Sequence, residues 1–324
     1  MNQITPAATA ARARAAPPPV SRREVPLAAP SGPGPKRDAR GRIVNAMTVD
    51  VEDWFQVQAL SAHVDRDSWD LQNRRVERNT DRILDLFAEA GVSATFFTLG
   101  WVAERYPLLV RRIVDAGHEL ASHGLAHVPV HAQSADAFRR DIRHTKALLE
   151  DTGGVAVHGY RAATFSIGSR TPWAHQVLAE EGHSYSSSIN PIRHDLYGAP
   201  DAPRFPHCPR EAPDGFWEVP MTTVQVRGRN FPCAGGGFFR LLPYAVFRAG
   251  LRRVNLGEER PAVFYFHPWE VDPGQPRISG LPWRSAFRHT VNLGRTEARL
   301  TRLLRDFAWD RMDRVHPELV PADG

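Results

Sequence analysis

The sequence predicts an α/β fold with a mostly parallel sheet, and three observations lead to this prediction. From residue 43 onward, apolar strand-like runs alternate with segments of helical periodicity. Hydrophobic residues make up 42% of the chain and charged residues 24%, as in ordinary soluble globular proteins. The 324 residues suffice for one large domain or two smaller ones. Strands and helices that alternate at this spacing indicate βα units, which form parallel sheets.

Six short runs rich in β-branched and aromatic residues predict strands. They cover residues 43–49, 94–99, 119–122, 155–160, 217–220 and 262–266. Polar residues directly follow or close four of these runs, namely Asp50, His123, Arg161 and His267. Chemistry gathers at the carboxyl ends of the strands in parallel α/β folds. We therefore expect these four side chains to lie close together.

Five segments with apolar residues at helical intervals predict helices. They cover residues 74–90, 107–116, 134–150, 173–181 and 296–307. Gly91 and Gly117 follow the first two segments, at the position where glycine commonly ends a helix. Pro107 suits the first turn of the second helix, and Ser134 is a cap for the third. The last segment has leucines on one side, and we expect it to pack against the core.

The first 42 residues differ in composition from the rest. They hold eight basic side chains, two acidic side chains and eight prolines, whereas the whole chain has a net charge of +5. Residues 43–324 are therefore nearly neutral, and the basic pI argues for a charged tail rather than for binding to nucleic acid. A segment with so few large apolar residues cannot bury enough surface to fold. We predict a disordered tail over 1–42.

Neither a signal peptide nor a membrane span is predicted. Arginines interrupt the alanine-rich start, and no apolar stretch approaches the roughly 20 residues that a membrane helix needs. Cys208 and Cys233 do not have the spacing of a metal site or a redox motif. The sequence is compatible with a disulfide between them and with two reduced thiols. The expectation is a cytoplasmic protein.

Two distant segments carry groups that bind divalent metals. Asp50, Glu52 and Asp53 follow the first strand, and His123 and His127 follow the third. Two imidazoles and one carboxylate can bind a metal such as zinc and leave a coordination position open for water. A second carboxylate beside that water could act as a general base. The alternatives are that the acidic cluster caps the next helix or pairs with arginines, and that the histidine spacing arises by chance.

Three further residues could complete a hydrolase. His267 follows an apolar strand and could protonate a leaving amine, although a lone histidine of this kind is usually a packing residue. Arg161 could hold the base carboxylate or bind an anionic substrate group. Glu218 could orient His267, and an edge salt bridge is an equal alternative.

Aromatic residues near the strand ends could bind sugar rings. Tyr160, Trp217 and Trp269 are candidates for stacking, but each could equally belong to the core.

Taken in order, these motifs resemble the polysaccharide deacetylases with NodB homology. The resemblance covers about residues 43–310 and rests on the acidic strand end, Ser-His-x-x-x-His, Gly-Tyr-Arg, Trp-Glu-Val-Pro and the strand before His267. Residues 48–55, 159–167 and 264–270, with the stretch 287–307, look closest to a branch associated with exopolysaccharide loci of PEP-CTERM systems. The resemblance implies a distorted (β/α) barrel with fewer strands than a full eight-fold barrel. It also implies a catalytic domain over 43–312 and a C-terminal tail over 313–324.

The resemblance also implies roles for the residues. Asp50 corresponds to the base, and His123 and His127 correspond to metal ligands. Arg161 would steady the base and His267 would be the acid. The third ligand is Glu52 by the spacing found in some relatives, with Asp53 as the alternative. A backbone N–H near Tyr160 or Arg161 would stabilise the oxyanion. The usual proline two residues after the arginine is replaced by Ala163.

The expected cofactor is one divalent ion, zinc by preference, with cobalt, nickel or manganese also compatible. The expected reaction is hydrolysis of the N-acetyl group of an amino-sugar polysaccharide or oligosaccharide, in exopolysaccharide biosynthesis. Peripheral association with membrane-bound polysaccharide machinery is compatible with this role, and the oligomeric state is open. The rival hypotheses are an amidase for a small molecule and a carbohydrate-binding relative without catalysis.

Overall fold

The sheet is built around a fully buried strand, β1 (Val44–Val51). The structure is a computed structural model, and it describes residues 34–194 and 197–321. Residues 1–33 of the predicted N-terminal tail and residues 322–324 of the predicted C-terminal tail lie outside the described residues. The described residues from 35 onward belong to one compact unit.

Nine further strands follow β1 among the described residues. They are β2 (Thr95–Thr98), β3 (Glu119–Ser122), β4 (Gly159–Tyr160), β5 (Tyr185–Ser186), β6 (Trp217–Glu218), β7 (Thr223–Val226), β8 (Arg229–Pro232), β9 (Val263–Phe266) and β10 (Ala308–Asp310). Strands β7 and β8 form an antiparallel hairpin, and the other eight form one parallel sheet.

Strand β1 pairs along both of its edges. Ala46 lies opposite Val263 of β9 on one edge and Asp310 of β10 on the other, and β2 continues the second edge beyond β10. From β2 the sheet runs through β3, β4 and β5 to β6. From β9 through β1 and β2 to β6, seven parallel strands lie side by side, with β10 in line with β2, and the sheet curls into a half-barrel surrounded by helices. The prediction of a distorted (β/α) barrel with fewer strands than a full eight-fold barrel is confirmed.

The helices are α1 (Val76–Ala90), α2 (Gly100–Arg105), α3 (Pro107–Asp115), α4 (Ala135–Gly153), α5 (Ala174–Glu180), α6 (Gly236–Leu241), α7 (Tyr244–Arg252), α8 (Trp283–Thr290), α9 (Leu293–Asp306) and α10 (Met312–Val315). The predicted boundary signals act as expected. Gly91 ends α1 with a φ of 63°, Pro107 begins α3, and the Ser134 hydroxyl accepts the N–H of Ala137 at the start of α4.

Two predicted strands are shorter than expected. In the segment 155–160 only the last two residues form a strand, because side chains of α4 bind the backbone before it. The Val157 N–H donates to Glu150 Oε1 at 3.0 Å, and the Val157 carbonyl accepts from Lys146 Nζ at 2.7 Å. In the segment 217–220 the strand ends before Pro220, which has no N–H to donate.

Side chains of β1, β2 and β9 pack under α1, α7 and α9. Phe87 of α1 contacts Phe96 and Phe266 edge-on, and Phe247 of α7 contacts Phe264 in the same way. This buried aromatic layer holds the strands whose carboxyl ends carry the candidate site. Within the described residues, no helix has the length and apolar character needed to cross a membrane. Cys208 and Cys233 are not joined by a disulfide.

Candidate active site

The carboxyl ends of four strands converge on one group of buried side chains. Asp50 lies at the end of β1 and Glu52 directly follows it, His123 follows β3, Arg161 follows β4, and His267 follows β9. These positions follow from the parallel arrangement, which brings the carboxyl ends of the strands to the same edge.

Glu52, His123 and His127 form a compact group of potential metal ligands. One ligand atom from each lies within 4.8 Å of the others. The Nδ1–H of His123 donates to the carbonyl of Arg161 at 2.8 Å, because a carbonyl can only accept, and Nε2 of that ring is left available as a ligand. His127 is in the left-handed region with a φ of 51°, in a loop rather than in a helix.

The chemistry of this group fits a divalent cation. Glu52 Oε2 is buried and accepts no hydrogen bond from the described residues, although His127 Nε2 lies only 3.1 Å away. Burial lowers the pKa of His123 and lowers that of His127 further, so both rings are neutral ligands at neutral pH. Burial also raises the pKa of Glu52 to about 7, and a cation bound there would oppose this effect.

Asp53 does not join this group. Its Oδ1 accepts the N–H of Trp54 at 2.8 Å, and its Oδ2 accepts the N–H groups of Arg75 and Val76 at 2.6 and 2.9 Å. The last two are backbone donors at the start of α1, so Asp53 binds a helix N-terminus. Of the two alternatives for the third ligand, the structure places only Glu52 beside the histidines.

Arg161 holds Asp50 in place. The guanidinium is fully buried, and its Nη1 donates to Asp50 Oδ1 at 2.6 Å and to Thr48 Oγ1 at 2.7 Å. Its Nε and Nη2 donate to the carbonyl and hydroxyl of Ser187. With these partners, Arg161 serves Asp50 rather than an anionic substrate. Its backbone N–H donates to the carbonyl of Ser122 at 2.8 Å, so the expected oxyanion donor is not this group.

His267 faces the two carboxylates with one nitrogen and is held by the other. Its Nε2 lies 3.4 Å from Glu52 Oε1 and 3.9 Å from Asp50 Oδ2, while its Nδ1–H donates to Glu270 Oε1 at 2.7 Å. Burial alone would lower the pKa of His267, but the charges of Glu52, Glu270 and Asp50 raise it to about 9. The ring is therefore protonated at neutral pH and can give up a proton.

Glu270 is the residue that the sequence analysis missed. Its Oε2 accepts from Arg240 Nε at 2.6 Å. Burial would raise the pKa of Glu270, but Arg240 and His267 lower it to about 2. The signal was present in the sequence: His267 is followed by proline and, three residues on, by Glu270, which is a capping-box pattern.

Glu218 does not reach His267, and its predicted role is corrected. Its Oε1 accepts the N–H groups of Ser188 and Ile189 at 2.9 and 2.8 Å, and its Oε2 lies 3.1 Å from His175 Nε2. Glu218 thus ties β6 to the chain that follows β5, and Glu270 orients His267.

The aromatic candidates are mostly core residues. Tyr160 is buried, and Trp217 is partly buried against a hydrophobic cluster. Trp269 is buried with its ring stacked between His267 and His289, and its Nε1–H donates to Glu52 Oε1 at 3.3 Å. Trp269 therefore positions the site, and Tyr160 and Trp269 do not offer an exposed ring face to a sugar.

Family models match two adjoining stretches of the chain. Residues 67–185 match the model described as polysaccharide deacetylase. The chain contains a polysaccharide deacetylase domain. Residues 187–317 match a domain of unknown function, DUF3473. The deacetylase match contains His123, His127 and Arg161, whereas Asp50 precedes it and His267 lies in the DUF3473 stretch, so the site draws on three parts of the chain. The expected family is confirmed, and its PEP-CTERM branch stays a prediction.

Curated proteins resemble parts of this polysaccharide deacetylase domain. A chitooligosaccharide deacetylase from Sinorhizobium fredii is 43% identical over 114 residues, which are 34% of this chain and 49% of the relative. A peptidoglycan-N-acetylglucosamine deacetylase from Bacillus cereus is 36% identical over 77 residues, which are 24% of this chain and 28% of the relative. The chain thus spans less than half of the length of these two relatives.

The fold of the whole chain also has a counterpart. The crystal structure of a protein from Mycobacterium smegmatis, assigned to the polysaccharide deacetylases, superposes with a TM-score of 0.57 at 20% identity. The match covers 89% of this chain and 93% of that chain. At this identity it bears on the fold alone, and the fold extends through the DUF3473 stretch.

Proposed function

We propose that this protein is a metal-dependent deacetylase that hydrolyses the N-acetyl group of an N-acetylated amino-sugar polymer. The observation that carries the proposal is the convergence of three parts at one edge of the sheet. They are a carboxylate held by arginine, a Glu-His-His group, and a protonated histidine held by glutamate. A base, a metal site and an acid are the groups that metal-dependent amide hydrolysis uses.

Glu52, His123 and His127 would hold the cation. A divalent cation there would lower the pKa of a bound water molecule and polarise the acetamide carbonyl. Asp50 would remove the proton from the attacking water, because its Oδ2 is turned toward His267 and the cluster while its Oδ1 is bound to Arg161. The buried guanidinium compensates the charge of Asp50 and fixes its rotamer.

His267 would protonate the amine as the C–N bond breaks. Its Nε2 lies on the side of Glu52 and Asp50, so acid and base face the same space. Glu270 holds the Nδ1 proton and thereby presents the Nε2 proton to the leaving group. The products are acetate and an amino sugar with a free amine.

The narrower expectations belong to the same proposal. Zinc is the preferred ion, with cobalt, nickel and manganese as alternatives, because all accept imidazole and carboxylate ligands. The polymer is proposed to be an exopolysaccharide intermediate in the cytoplasm, reached by peripheral association with membrane-bound machinery. The names of the relatives above support chito-oligosaccharides and peptidoglycan glycans as first test substrates.

The test is release of acetate from tetra-N-acetylchitotetraose and from peptidoglycan glycan fragments by the protein loaded with zinc or cobalt. We expect release that stops after chelation and returns when the ion is restored. Binding of the glycans without any release, at full metal loading, would favour the non-catalytic carbohydrate-binding alternative. Hydrolysis of small amides with no activity on glycans would favour the small-molecule amidase.

A further inference from the structure

The loop between β1 and α1 is hydrogen-bonded to the loop after β3, which carries the candidate metal ligand His127. This β1–α1 loop, residues 52–75, contains two short 3₁₀ helices, Gln58–Leu60 and Arg66–Leu71. Arg66 donates through Nε to the carbonyl of Ala126 at 2.9 Å and through Nη2 to the carbonyl of His127 at 3.0 Å. The β1–α1 loop is therefore held against the segment that carries one of the candidate ligands.

A small cleft lies within this junction. Its walls include Gln56, Asp65, Arg66 and Trp69 of the β1–α1 loop, together with His127. Because His127 belongs to the Glu-His-His group, the cleft adjoins the place where the acetamide would react. A group bound in the cleft would thus belong to a part of the substrate close to the acetamide.

Two of the residues that line the cleft carry a buried donor that has no acceptor among the described residues. Gln56 is 3% exposed, and its Oε1 accepts the N–H of Asp53 at 2.7 Å, which settles which amide atom is oxygen. Its Nε2 makes no hydrogen bond, and neither does the Nε1 of Trp69, which is also 3% exposed. Buried donors of this kind destabilise a protein unless they are paired.

Trp69 is not free to turn toward another partner. Its ring packs edge-on against Trp101 at 5.6 Å and at a tilt against Phe55 at 5.9 Å. Unpaired buried donors are unfavourable for stability, and such unfavourable features are expected mainly at functional sites. Their occurrence in two residues of one cleft beside the site therefore indicates a role in binding a ligand.

We propose that Gln56 and Trp69 form a substrate subsite, which binds a hydroxyl oxygen of the sugar chain next to the reacting acetamido group. This proposal rests on the proposed function and adds a specificity element to it. The amide and indole N–H groups would donate to the hydroxyl oxygen, and the exposed Asp65 could accept the hydroxyl proton. Asp65 and Arg66 carry opposite charges in the walls of this cleft, so a neutral sugar is a suitable occupant.

The test uses two variants that remove the donors and keep the shape. Trp69→Phe removes one N–H and retains an aromatic ring against Phe55 and Trp101. Gln56→Glu retains Oε1 for the N–H of Asp53 and replaces the donor nitrogen with an acceptor oxygen. Trp54→Phe is the matched control, because Trp54 lies in the same loop but its Nε1 already donates to the carbonyl of Asn73 at 2.9 Å.

Four quantities are measured on the full, metal-loaded chain: the Kd for tetra-N-acetylchitotetraose, the KM and kcat for its deacetylation, and the Tm without the sugar. We expect Trp69→Phe and Gln56→Glu to raise Kd and KM by about three- to tenfold, the effect of one or two hydrogen bonds, with little change in kcat. Trp69→Phe should lower the Tm less than Trp54→Phe, because both variants lose ring volume but only Trp54 loses a hydrogen bond. Trp54→Phe should lower the Tm and leave the Kd unchanged.

Each outcome decides the matter. Unchanged Kd and KM in both variants, or no binding of the tetrasaccharide by the parent protein, would overturn the subsite. A fall in Tm for Trp69→Phe as large as that for Trp54→Phe would show that the indole is paired inside the protein, which also overturns it. Binding that depends on Trp69 without any acetate release would retain the subsite and reject the deacetylase. Acetate release with an unchanged KM in both variants would retain the deacetylase and reject the subsite.

Discussion

The proposed base and metal ligands are positioned differently from the proposed acid. Asp50 and Glu52 lie at the end of β1, which has eight residues and pairs with three other strands, and His123 follows β3, which pairs over four residues with β2. Backbone hydrogen bonds thus place these groups. Each side chain then needs one main partner: the Arg161 guanidinium holds Asp50, and the Arg161 carbonyl holds His123.

His267 depends on side chains instead. It follows the four-residue strand β9 and is held by Glu270, which is in turn held by Arg240 of α6. The guanidinium of Arg240 also donates to the carbonyls of Arg288, His289 and Val291. One site thus combines side chains that are positioned by the pairing of strands with a side chain that is positioned by a buried network of ion pairs. The two kinds of support should respond differently to mutation.

The largest effect is expected from the metal ligands. His127→Ala removes one of the three proposed metal ligands, and we expect loss of the bound ion. Turnover should fall by more than the roughly 10–100-fold that follows removal of a residue hydrogen-bonded to a metal ligand. Metal per chain and acetate release are the measurements. His131→Ala, an exposed histidine four residues on, is the control and should keep the ion. Full metal content in His127→Ala would show that the ion lies elsewhere.

The next effect concerns the base. Asp50→Asn keeps an oxygen that can accept from Arg161 but loses the ability to take a proton, so we expect kcat to fall by about 10²–10⁴-fold. The metal content should stay close to that of the parent, whereas the Tm should fall, because the buried guanidinium of Arg161 loses its charged partner. A rate near that of the parent would reject Asp50 as the base.

The acid offers a direct test of its support network. His267 acts when protonated, so activity should decline as the pH rises through the pKa of its ring, which the charges of Glu52, Glu270 and Asp50 raise and which a cation bound to Glu52 would lower. Glu270→Gln removes the negative charge beside the imidazole ring and thereby lowers the pKa of His267. The alkaline limb of the activity profile should therefore move to lower pH, by roughly one unit or more. The measurement is the pH profile of kcat.

Glu218→Gln is the matched control for this shift. Glu218 is a buried glutamate beside a histidine as well, but its neighbour is His175 rather than His267. Both variants should lose stability, and only Glu270→Gln should move the alkaline limb. A limb that moves with Glu218→Gln instead would restore the original assignment.

The smallest effect separates the two adjacent carboxylates. Asp53→Asn weakens the contacts at the start of α1, so we expect a loss of about 1 kcal/mol in the free energy of unfolding, with the metal retained. Glu52→Gln should lose the metal. Denaturant unfolding gives the free energy of unfolding of the two variants, and metal analysis gives their metal content. Loss of metal from a fully folded Asp53→Asn variant would make Asp53, and not Glu52, the metal ligand.

The strand-end residues could be predicted from sequence because the apolar runs before them are unambiguous. The parallel arrangement then brings Asp50, His123, Arg161 and His267 to one edge. The spacing found in some relatives favoured Glu52 over Asp53 as the third ligand, and Glu52 is the carboxylate that lies beside His123 and His127.

The remaining features depend on tertiary contacts that the sequence pattern does not contain. Glu218 and Glu270 are both glutamates near a strand end, and only the folded chain shows which of them faces His267. The strand expected over 155–160 is short because Glu150 and Lys146 of α4 bind the backbone at Val157. The donor pair of Gln56 and Trp69 could not be recognised from sequence, because what defines it is burial without a partner.

The pairing of β1 along both edges has a consequence for how the protein loses activity. A strand bonded to β2, β9 and β10 cannot open unless several of its neighbours separate as well. Its amide hydrogens should therefore exchange with solvent only through global unfolding, among the slowest in the chain. Since Asp50 is part of this strand and Glu52 directly follows it, heat or denaturant should abolish catalysis in the same cooperative step that unfolds the whole barrel.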